Sequence, residues 1–361
     1  MRNVYNFSPG PSVLPEDVLK KIQKDFLDYN GCGMSVVELS HRGKVFEEIA
    51  LTSEGLLRKL MKISYNYEVL FLQGGASLQF EAVPLNLLVK GKADYVVTGN
   101  FAKKAYEEAQ KFGDIVCAAS SKDKNFTYIP KLSKKIFREN IDYVHIASNN
   151  TIFGTKYSSF PKTTAPLVCD MSSNILSEVM DVNEFGLIYA GAQKNIAPAG
   201  LTIVIVRKDL IEKTHPNCPT MLKYITQVKE KSLYNTPPCF SIYTAMLVFE
   251  WLIDFGGVEK MQEQNYFKAG LLYDFIDNSK FYKNPVEKED RSIMNIPFIT
   301  PSEALDTKFI KESSNNGLMF LKGHRLVGGM RASIYNAMPV EGVKKLIEFM
   351  KKFELENKVT V

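Results

Sequence analysis

The chain has 361 residues and a net charge of +5, with 45% hydrophobic and 24% charged residues, which is ordinary for a globular protein of about two domains. Its lysine pairs are scattered and its five cysteines widely spaced, which argues against a nucleic-acid-binding patch, a disulfide framework and a zinc site and favours a reducing compartment. The N-terminus lacks the apolar run of a signal peptide, and no run of about 18 apolar residues could span a membrane, so we expect a cytoplasmic protein.

The N-terminal part predicts one helix between two irregular segments. Residues 6–11 (Asn-Phe-Ser-Pro-Gly-Pro) are rich in turn formers. A helix is expected from about Pro15, because apolar residues follow it at helical spacing. These residues are Val18, Ile22 and Phe26. Glycines then bracket a second irregular segment, which carries His41 and Arg42.

Between residues 69 and 206, short apolar runs alternate with longer helix-like segments. The runs are 69–72, 95–98, 143–147, 167–169, 187–192 and 201–206. Alternating strands and helices predict an α/β fold with a mainly parallel sheet flanked by helices. Ligands of such sheets bind beyond the carboxyl ends of the strands, and polar or glycine-rich segments follow these runs at that point.

After about residue 260, charged and loop-like segments mix with brief apolar runs. A last amphipathic helix is expected from Pro339, since proline suits the first helical turn. We therefore predict a large domain over residues 15–259 and a smaller α+β domain formed by residues 1–14 and 260–361.

Lys194 and Asp170 are the first candidates for chemistry. Lys194 lies between two apolar runs, where removal from water lowers the pKa of a lysine and frees its amine to attack an aldehyde. Asp170 ends a strand one strand–helix unit upstream, so both side chains are expected at the same edge of the sheet. A buried carboxylate needs a cationic partner, and the protonated pyridine nitrogen of pyridoxal phosphate supplies one. The structural alternatives are a solvated lysine and an aspartate that caps a helix.

Residues 73–77 (Gln-Gly-Gly-Ala-Ser) run from a strand into a helix, and glycines there let the backbone approach a phosphate. The segment is neither a Walker loop nor GxGxxG, so it does not indicate a nucleotide, and a tight turn without a ligand is the alternative. Phe101 and Thr151 each follow a strand. Phe101 either stacks on a flat ring or packs in the core, and Thr151 either bonds a ring substituent or caps a helix.

Two basic clusters lie among glycines. They are His41-Arg42, and His324-Arg325 with Arg331. Arginine forks match carboxylate and phosphate geometry, whereas ordinary surface arginines are the alternative. Each of these histidines neighbours an arginine and stands outside metal-ligand spacing, which favours anion binding over a metal site.

Motifs spread over nearly the whole chain resemble those of the phosphoserine aminotransferase family, which belongs to the class-V aminotransferases and the fold-type-I pyridoxal-phosphate enzymes. The motifs are residues 6–11, 39–43, 74–80, 170–173, 191–195, 235–238, 323–325 and 328–333. A lysine after glutamine is common to many aminotransferases, whereas the two His-Arg pairs with the Gly-Gly-Met-Arg segment are much more specific. The resemblance implies a large domain with a seven-stranded, mainly parallel sheet.

The resemblance also implies how the cofactor, pyridoxal phosphate, would be held. Lys194 would form the Schiff base and shuttle protons between the substrate and the cofactor, and Asp170 would pair with the pyridine nitrogen. Phe101 would stack on the ring, and Thr151 would bond its hydroxyl oxygen. The residues implied to hold the cofactor phosphate are Ala76, Ser77 and Gln193, with Asn235 and Thr236 from the other subunit of a homodimer that shares its active sites.

For the substrate, the resemblance implies that Arg331 binds the α-carboxylate. The residues implied to recognise the substrate phosphate, some across the dimer interface, are His41, Arg42, His324 and Arg325. The implied reaction is a ping-pong transamination in serine synthesis between L-glutamate and 3-phosphohydroxypyruvate. Some members also act on a four-carbon phosphorylated substrate in pyridoxine (vitamin B6) synthesis. The chain departs from the family at Phe101, where tryptophan is usual, and at Ala197, where glycine is common.

Four other functions compete with this interpretation. An aminotransferase acting on alanine and glyoxylate would not need a phosphate pocket, which the His-Arg pairs indicate. A cysteine desulfurase would need a reactive cysteine in a mobile loop, and no cysteine here lies in an obvious motif of that kind. A non-catalytic protein would have no reason to keep Lys194, Asp170 and the anion clusters together. A nucleic-acid binder would need the basic block that the sequence lacks.

Overall fold

A computed structural model describes residues 4–357 of the chain. The strands are β1 (Tyr5–Asn6), β2 (Tyr67–Leu72), β3 (Lys92–Val97), β4 (Asp114–Ser120), β5 (Tyr143–Ala147), β6 (Asn149–Asn150), β7 (Thr155–Lys156), β8 (Leu167–Asp170), β9 (Leu187–Gly191), β10 (Thr202–Arg207), β11 (Asn295–Phe298), β12 (Leu318–Met319) and β13 (Met330–Ser333). The helices are α1 (Glu16–Asp25), α2 (Lys44–Met61), α3 (Gly75–Leu87), α4 (Asn100–Ala109), α5 (Tyr224–Lys229), α6 (Cys239–Asp254), α7 (Gly257–Asn278), α8 (Glu303–Asn315) and α9 (Val340–Asn357).

The central feature is a seven-stranded sheet in the order β2-β10-β9-β8-β5-β3-β4. Strand β10 runs antiparallel to both of its neighbours, and the remaining adjacent pairs are parallel. The predicted α/β fold with a mainly parallel sheet is therefore confirmed. Strands β5, β8 and β9 end at the same edge of this sheet, at Ala147, Asp170 and Gly191.

Within the central sheet, the one strand that was not predicted differs in burial from the strands around the site. Every residue of β5, β8 and β9 is buried, and strands covered on both faces read as continuous apolar runs. Strand β4 was not predicted. It lies at the edge of the sheet, and Ile115 is the buried member among its seven residues. Residues 115–119 (Ile-Val-Cys-Ala-Ala) form an apolar run that could have predicted this strand.

The apolar interior forms three clusters of buried side chains. The members of the first cluster come from between Val18 and Met261. The second cluster combines Phe7 with side chains from between Ala269 and Phe353. The third lies around α3, α4 and the sheet. Burying a leucine or phenylalanine side chain fully contributes about 1.5–3 kcal/mol, so each cluster is a substantial source of stability.

We propose the division into domains 15–259 and 1–14 with 260–361 because the second cluster joins the N-terminal segment to the C-terminal part. Helix α7 crosses the proposed boundary, since its Met261 belongs to the first cluster and its Leu272 to the second. Residues 1–3 and 358–361 of the smaller unit lie outside the described residues.

Short strands outside the large sheet bring the N-terminal segment to the carboxyl edge of that sheet. Strand β1 pairs in parallel with β12, and the Ser333 amide donates to the Phe7 carbonyl at 3.3 Å. Strand β13, which contains Ser333, pairs antiparallel with β11. Residues 8–12 and β13 are thereby held next to each other at the site described below.

Within residues 4–357, no single helix combines the length and apolar composition needed to span a membrane; the pair α6 and α7, bent by 81°, meets those criteria only together. Ten residues of α6 are buried inside the protein. All five cysteines are free.

Candidate active site

The candidate site is a cleft at the carboxyl edge of the sheet, where about 890 Å³ is free of protein atoms, part of it open solvent. Strand ends, helix N-termini and the N-terminal segment all contribute to its wall. Its lining residues that the sequence predicted are Ala76, Ser77, Phe101, Thr151, Asp170, Gln193, Lys194, His324 and Arg331. The structure therefore brings together nine residues from seven separate parts of the chain.

Lys194 lies in the turn between β9 and β10. Its Nζ donates a hydrogen bond to Thr151 Oγ1 at 2.8 Å and stands 5.6 Å from the centre of the Phe101 ring. Burial lowers the pKa of Lys194 to about 8; the Asp170 carboxylate opposes this shift and the Arg331 guanidinium adds to it. The amine is therefore neutral over part of the physiological pH range, as a nucleophile or proton acceptor must be.

This lowered pKa gives a testable pH dependence. In the apoenzyme, reaction of Lys194 with a small aldehyde, trapped by reduction and located by mass spectrometry, is expected to rise with a midpoint near pH 8. Only the neutral amine attacks, and it predominates above the folded-state pKa. Asp170→Asn is expected to move the midpoint downward, because the negative charge of Asp170 raises the pKa of Lys194. A midpoint near 10.5, the ordinary value for a lysine, would contradict the proposed environment.

Asp170 ends β8 and is buried. Its Oδ1 accepts hydrogen bonds from the Ser172 amide at 2.9 Å and from Ser172 Oγ at 2.5 Å. Ser172 Oγ in turn accepts from the Gly191 amide at 3.0 Å, at the end of the neighbouring strand. Asp170 thus closes a turn and does not cap a helix. Burial raises the pKa of Asp170, whereas Ser172 and Lys194 lower it.

Removing the Ser172 hydroxyl is expected to weaken cofactor binding without unfolding the site. In Ser172→Ala the pKa of Asp170 should rise, because one hydrogen bond that stabilises its charged form is lost. A hydrogen bond to a charged group is worth about 1.5–3 kcal/mol, so the dissociation constant of pyridoxal phosphate should increase about tenfold to a hundredfold in equilibrium dialysis. Ser177→Ala is the matched control, since Ser177 is also buried but bonds the Asn174 carbonyl. Equal dissociation constants for the two variants would refute this role.

The N-terminus of α3 forms another wall. Gly74 precedes the helix with a φ of 93°, a left-handed conformation that glycine adopts without strain. Gly75, Ala76 and Ser77, the first residues of the helix, line the cavity. The N–H groups of a first helical turn have no partner within the helix, and a helix N-terminus attracts anions. Gln193 faces the same cavity.

Arg331 on β13 provides a buried cation. It is 5% exposed, its Nη1 donates to the Thr151 carbonyl at 3.1 Å, and its Nε has no hydrogen-bond partner. Burial lowers the pKa of Arg331 and, together with Arg331, that of the nearby His324. An unpaired buried cation is costly unless it meets an anion, so the geometry favours a carboxylate ligand at this position.

Five predicted residues do not line the cavity of the single chain. Arg42, Arg325, Asn235 and Thr236 are exposed to solvent. The Thr236 carbonyl accepts a hydrogen bond from Gln73 Nε2 at 2.9 Å. His41 is only partly exposed, yet its Nε2 is buried without a partner. The single chain therefore does not bring these five residues to the cavity.

Sequence reasoning missed the N-terminal wall. Pro9 and Gly10 line the cavity, and a Cβ added at Gly10, which has a φ of +134°, would lie 3.2 Å from Lys194 Cγ. Ser12 donates from its hydroxyl to the Lys194 carbonyl and from its amide to the Gln193 carbonyl. The turn-rich segment 6–11 could have predicted this wall, because it contains a glycine and glycine permits such a close approach of backbone to a reactive side chain.

The donors around the cavity fit pyridoxal phosphate. Ser172 occupies one carboxylate oxygen of Asp170, which leaves the other for a cationic ring nitrogen. Phe101 offers an aromatic face, the α3 N-terminus offers N–H groups to a phosphate, and Lys194 offers an amine of lowered pKa. In residues 4–357, no group of three or more His, Cys, Asp and Glu side chains is arranged to hold a metal ion.

Comparisons with known proteins agree with this chemistry. The family model described as "Aminotransferase class-V" matches residues 4–346. A phosphoserine aminotransferase from Bacillus cereus is 58% identical over 360 residues, 99% of this chain and 100% of that protein. The phosphoserine aminotransferase structure from Bacillus circulans subsp. alkalophilus superposes with a TM-score of 0.95 at 47% identity, covering 98% of this chain and 99% of that one. The pyridoxal-phosphate-bound enzyme from Trichomonas vaginalis has a TM-score of 0.91 at 38% identity, covering 96% and 99%.

Proposed function

The chain belongs to the class-V aminotransferase family, and from that premise we propose that it is a pyridoxal-phosphate-dependent enzyme that transfers the amino group of L-glutamate to 3-phosphohydroxypyruvate. The products are 2-oxoglutarate and O-phospho-L-serine, an intermediate of serine synthesis. One observation carries the proposal: a single cavity holds a lysine of lowered pKa, a buried carboxylate and a buried arginine whose Nε has no hydrogen-bond partner within residues 4–357. The names of relatives with 55–58% identity support the same activity.

When bound, pyridoxal phosphate supplies an electron sink for the electron pair released at the substrate Cα. Asp170 keeps the ring nitrogen cationic, which requires its own carboxylate to stay ionised against burial with the help of Ser172. Phe101 holds one ring face, and Thr151, already bonded to Lys194 Nζ, orients the amine. Ala76, Ser77 and Gln193 hold the phosphate.

Lys194 moves the proton. Its Nζ would take the proton from the substrate Cα and pass it to the cofactor in one half-reaction, and would carry a proton in the reverse direction in the other, which a group with a pKa of about 8 can do in both directions. Arg331 binds the α-carboxylate of the amino donor and of the oxo acid, so both substrates are placed with Cα near Nζ. The N-terminal wall at Pro9 and Gly10 packs against this lysine and limits the access of water.

Specificity for a phosphorylated substrate is assigned to the basic residues at the cavity mouth. His324 lines the cavity, and Arg325 follows it in the same turn. His41 and Arg42 complete the phosphate site from the second subunit. The four-carbon phosphorylated substrate of pyridoxine synthesis carries the same groups, and we include it in the proposal. We place the enzyme in the cytoplasm.

The proposed reaction predicts two separate half-reactions. Purified enzyme loaded with pyridoxal phosphate is mixed with glutamate alone and should release one equivalent of 2-oxoglutarate per site. After removal of free amino acid, addition of 3-phosphohydroxypyruvate should release one equivalent of O-phospho-L-serine, both measured by mass spectrometry. Release in the first step but not in the second would retain the cofactor chemistry and reject the proposed acceptor.

We further propose a homodimer in which Asn235 and Thr236 of each subunit bind the cofactor phosphate of the other. Their exposure in the single chain supports this arrangement. Lys194→Ala mixed with the Asn235→Ala/Thr236→Ala double variant should then regain activity at limiting cofactor, because one site of each mixed dimer has a complete set of residues. If Asn235 and Thr236 bind the cofactor phosphate of their own subunit, the mixture should be no more active after subunit exchange than either variant alone.

A further inference from the structure

Lys268 on α7 is a buried lysine that forms no ion pair within residues 4–357. Its Nζ is surrounded by the backbone oxygens of Ile334 at 3.2 Å, Tyr335 at 2.9 Å, Asn336 at 3.5 Å and Met338 at 3.0 Å. Burial lowers the pKa of Lys268 to about 7. The carbonyl oxygens favour the ammonium, since they only accept hydrogen bonds and a neutral amine would turn its lone pair toward them.

The turn 334–338 that Lys268 holds is joined to the candidate site at three points. It follows β13, the strand that carries Arg331. The Asn336 amide donates to Asn195 Oδ1 at 3.0 Å, and Asn195 is the residue after Lys194. The Tyr335 hydroxyl donates to the Pro9 carbonyl at 2.8 Å on the cavity wall.

A second donor from the same helix reinforces the turn. Asn265, three residues before Lys268 and therefore on the same helical face, donates to Asn336 Oδ1 at 2.8 Å and to the Ser177 carbonyl at 2.9 Å. Asn336 Nδ2 donates to the carbonyl of Leu176 at 2.9 Å. All of these side chains are buried, where lost hydrogen bonds are not replaced by water.

We propose that Lys268 is a positioning residue for the proposed transamination: its ammonium fixes the 334–338 turn, and the turn fixes Arg331 and the Lys194 segment relative to each other. This inference rests on the proposed function only for its kinetic consequence. The structural consequence, a loosened turn and lysine segment, can be measured on its own.

The test compares Lys268→Met with Leu272→Ala in the cofactor-loaded enzyme. Leu272 is fully buried one turn further along α7, so its truncation destabilises the same helix without removing a hydrogen bond to the turn. Lys268→Met is expected to speed amide hydrogen exchange at residues 334–338 and 193–197 and to lower kcat/KM for glutamate about tenfold to a hundredfold, the effect of a displacement near 1 Å. The KM for glutamate should rise, because Arg331 moves.

For Leu272→Ala, exchange should change along α7 while kcat/KM stays within about threefold of the wild type. If Lys268→Met does not fold, Asn195→Ala tests the same link, since it removes the acceptor of the Asn336 amide and leaves Lys268 in place. The proposal would be overturned if the Lys268 or Asn195 variant showed unchanged exchange at residues 193–197 and had the same kinetics as the Leu272→Ala control. If the wild type itself fails to transaminate, the proposed function fails, and the exchange data still decide the positioning role.

Discussion

Replacing Lys194 with alanine is expected to lower kcat by about 10³–10⁴-fold or more, with glutamate and 3-phosphohydroxypyruvate as substrates. The variant loses the amine that we propose to attack the cofactor aldehyde and to move the Cα proton. Among residues 4–357, no other lysine lines the cavity to replace it. The measurement is the steady-state rate of O-phospho-L-serine formation, with Lys103→Ala as control, because Lys103 is exposed on α4 and does not line the cavity.

The same variant should remain folded. The Lys194 side chain contributes one hydrogen bond, but its charged form is disfavoured by burial. Removing the side chain should therefore leave the melting temperature of the apoenzyme unchanged or raise it. Loss of turnover together with a preserved melting temperature identifies a chemical role. A Lys194→Ala enzyme that keeps more than a tenth of the wild-type kcat would contradict the assignment.

Replacing Arg331 with alanine is expected to lower kcat/KM for both substrates by roughly 30- to 5000-fold, corresponding to about 2–5 kcal/mol for the loss of one partner of a buried charged pair. Arg331 is the buried guanidinium whose Nε has no hydrogen-bond partner within residues 4–357. Its Nη1 already donates to the Thr151 carbonyl, so the Nε side of the fork is available to a substrate carboxylate. Arg331→Lys keeps the charge but loses the planar two-point geometry, so its kcat/KM should lie between those of the wild type and Arg331→Ala.

Substrates with and without a phosphate distinguish the role proposed for Arg331 from that of the proposed phosphate-binding residues. In Arg331→Ala, kcat/KM should fall for glutamate, which carries no phosphate, as well as for 3-phosphohydroxypyruvate. In Arg325→Ala the loss should be larger for the phosphorylated oxo acid than for hydroxypyruvate. If Arg331→Ala affected only the phosphorylated substrate, Arg331 would belong to the phosphate site and the carboxylate assignment would be wrong.

The sequence predicted the parts of this protein that depend on local patterns. Continuous apolar runs located the buried parallel strands, and the residues just beyond them, Asp170 and Lys194, fell at one edge of the sheet as expected. The glycine-rich start of α3 was visible for the same reason, because strand ends and helix starts have local signatures. Strand β4 was not predicted although residues 115–119 are apolar, so this edge strand could also have been found from a local pattern.

Features that depend on contacts between distant segments could not be predicted. Lys268 lies in a helix where lysine normally indicates solvent, and its four carbonyl partners are 66 to 70 residues away. Gly10 lies against Lys194 across more than half of the chain. The roles given to Asn235, Thr236, His41 and Arg42 remain predictions, because they involve a second subunit.

The most direct test of the central claim is the ratio of kcat/KM for 3-phosphohydroxypyruvate to that for hydroxypyruvate, with glutamate as donor, in the wild type and in Arg325→Ala. Two charge-assisted hydrogen bonds to the phosphate are worth about 3–6 kcal/mol, so the wild-type ratio should be about 100 or more and should shrink at least tenfold in Arg325→Ala. A wild-type ratio near one would leave the cofactor chemistry intact and contradict the assignment of a phosphorylated substrate.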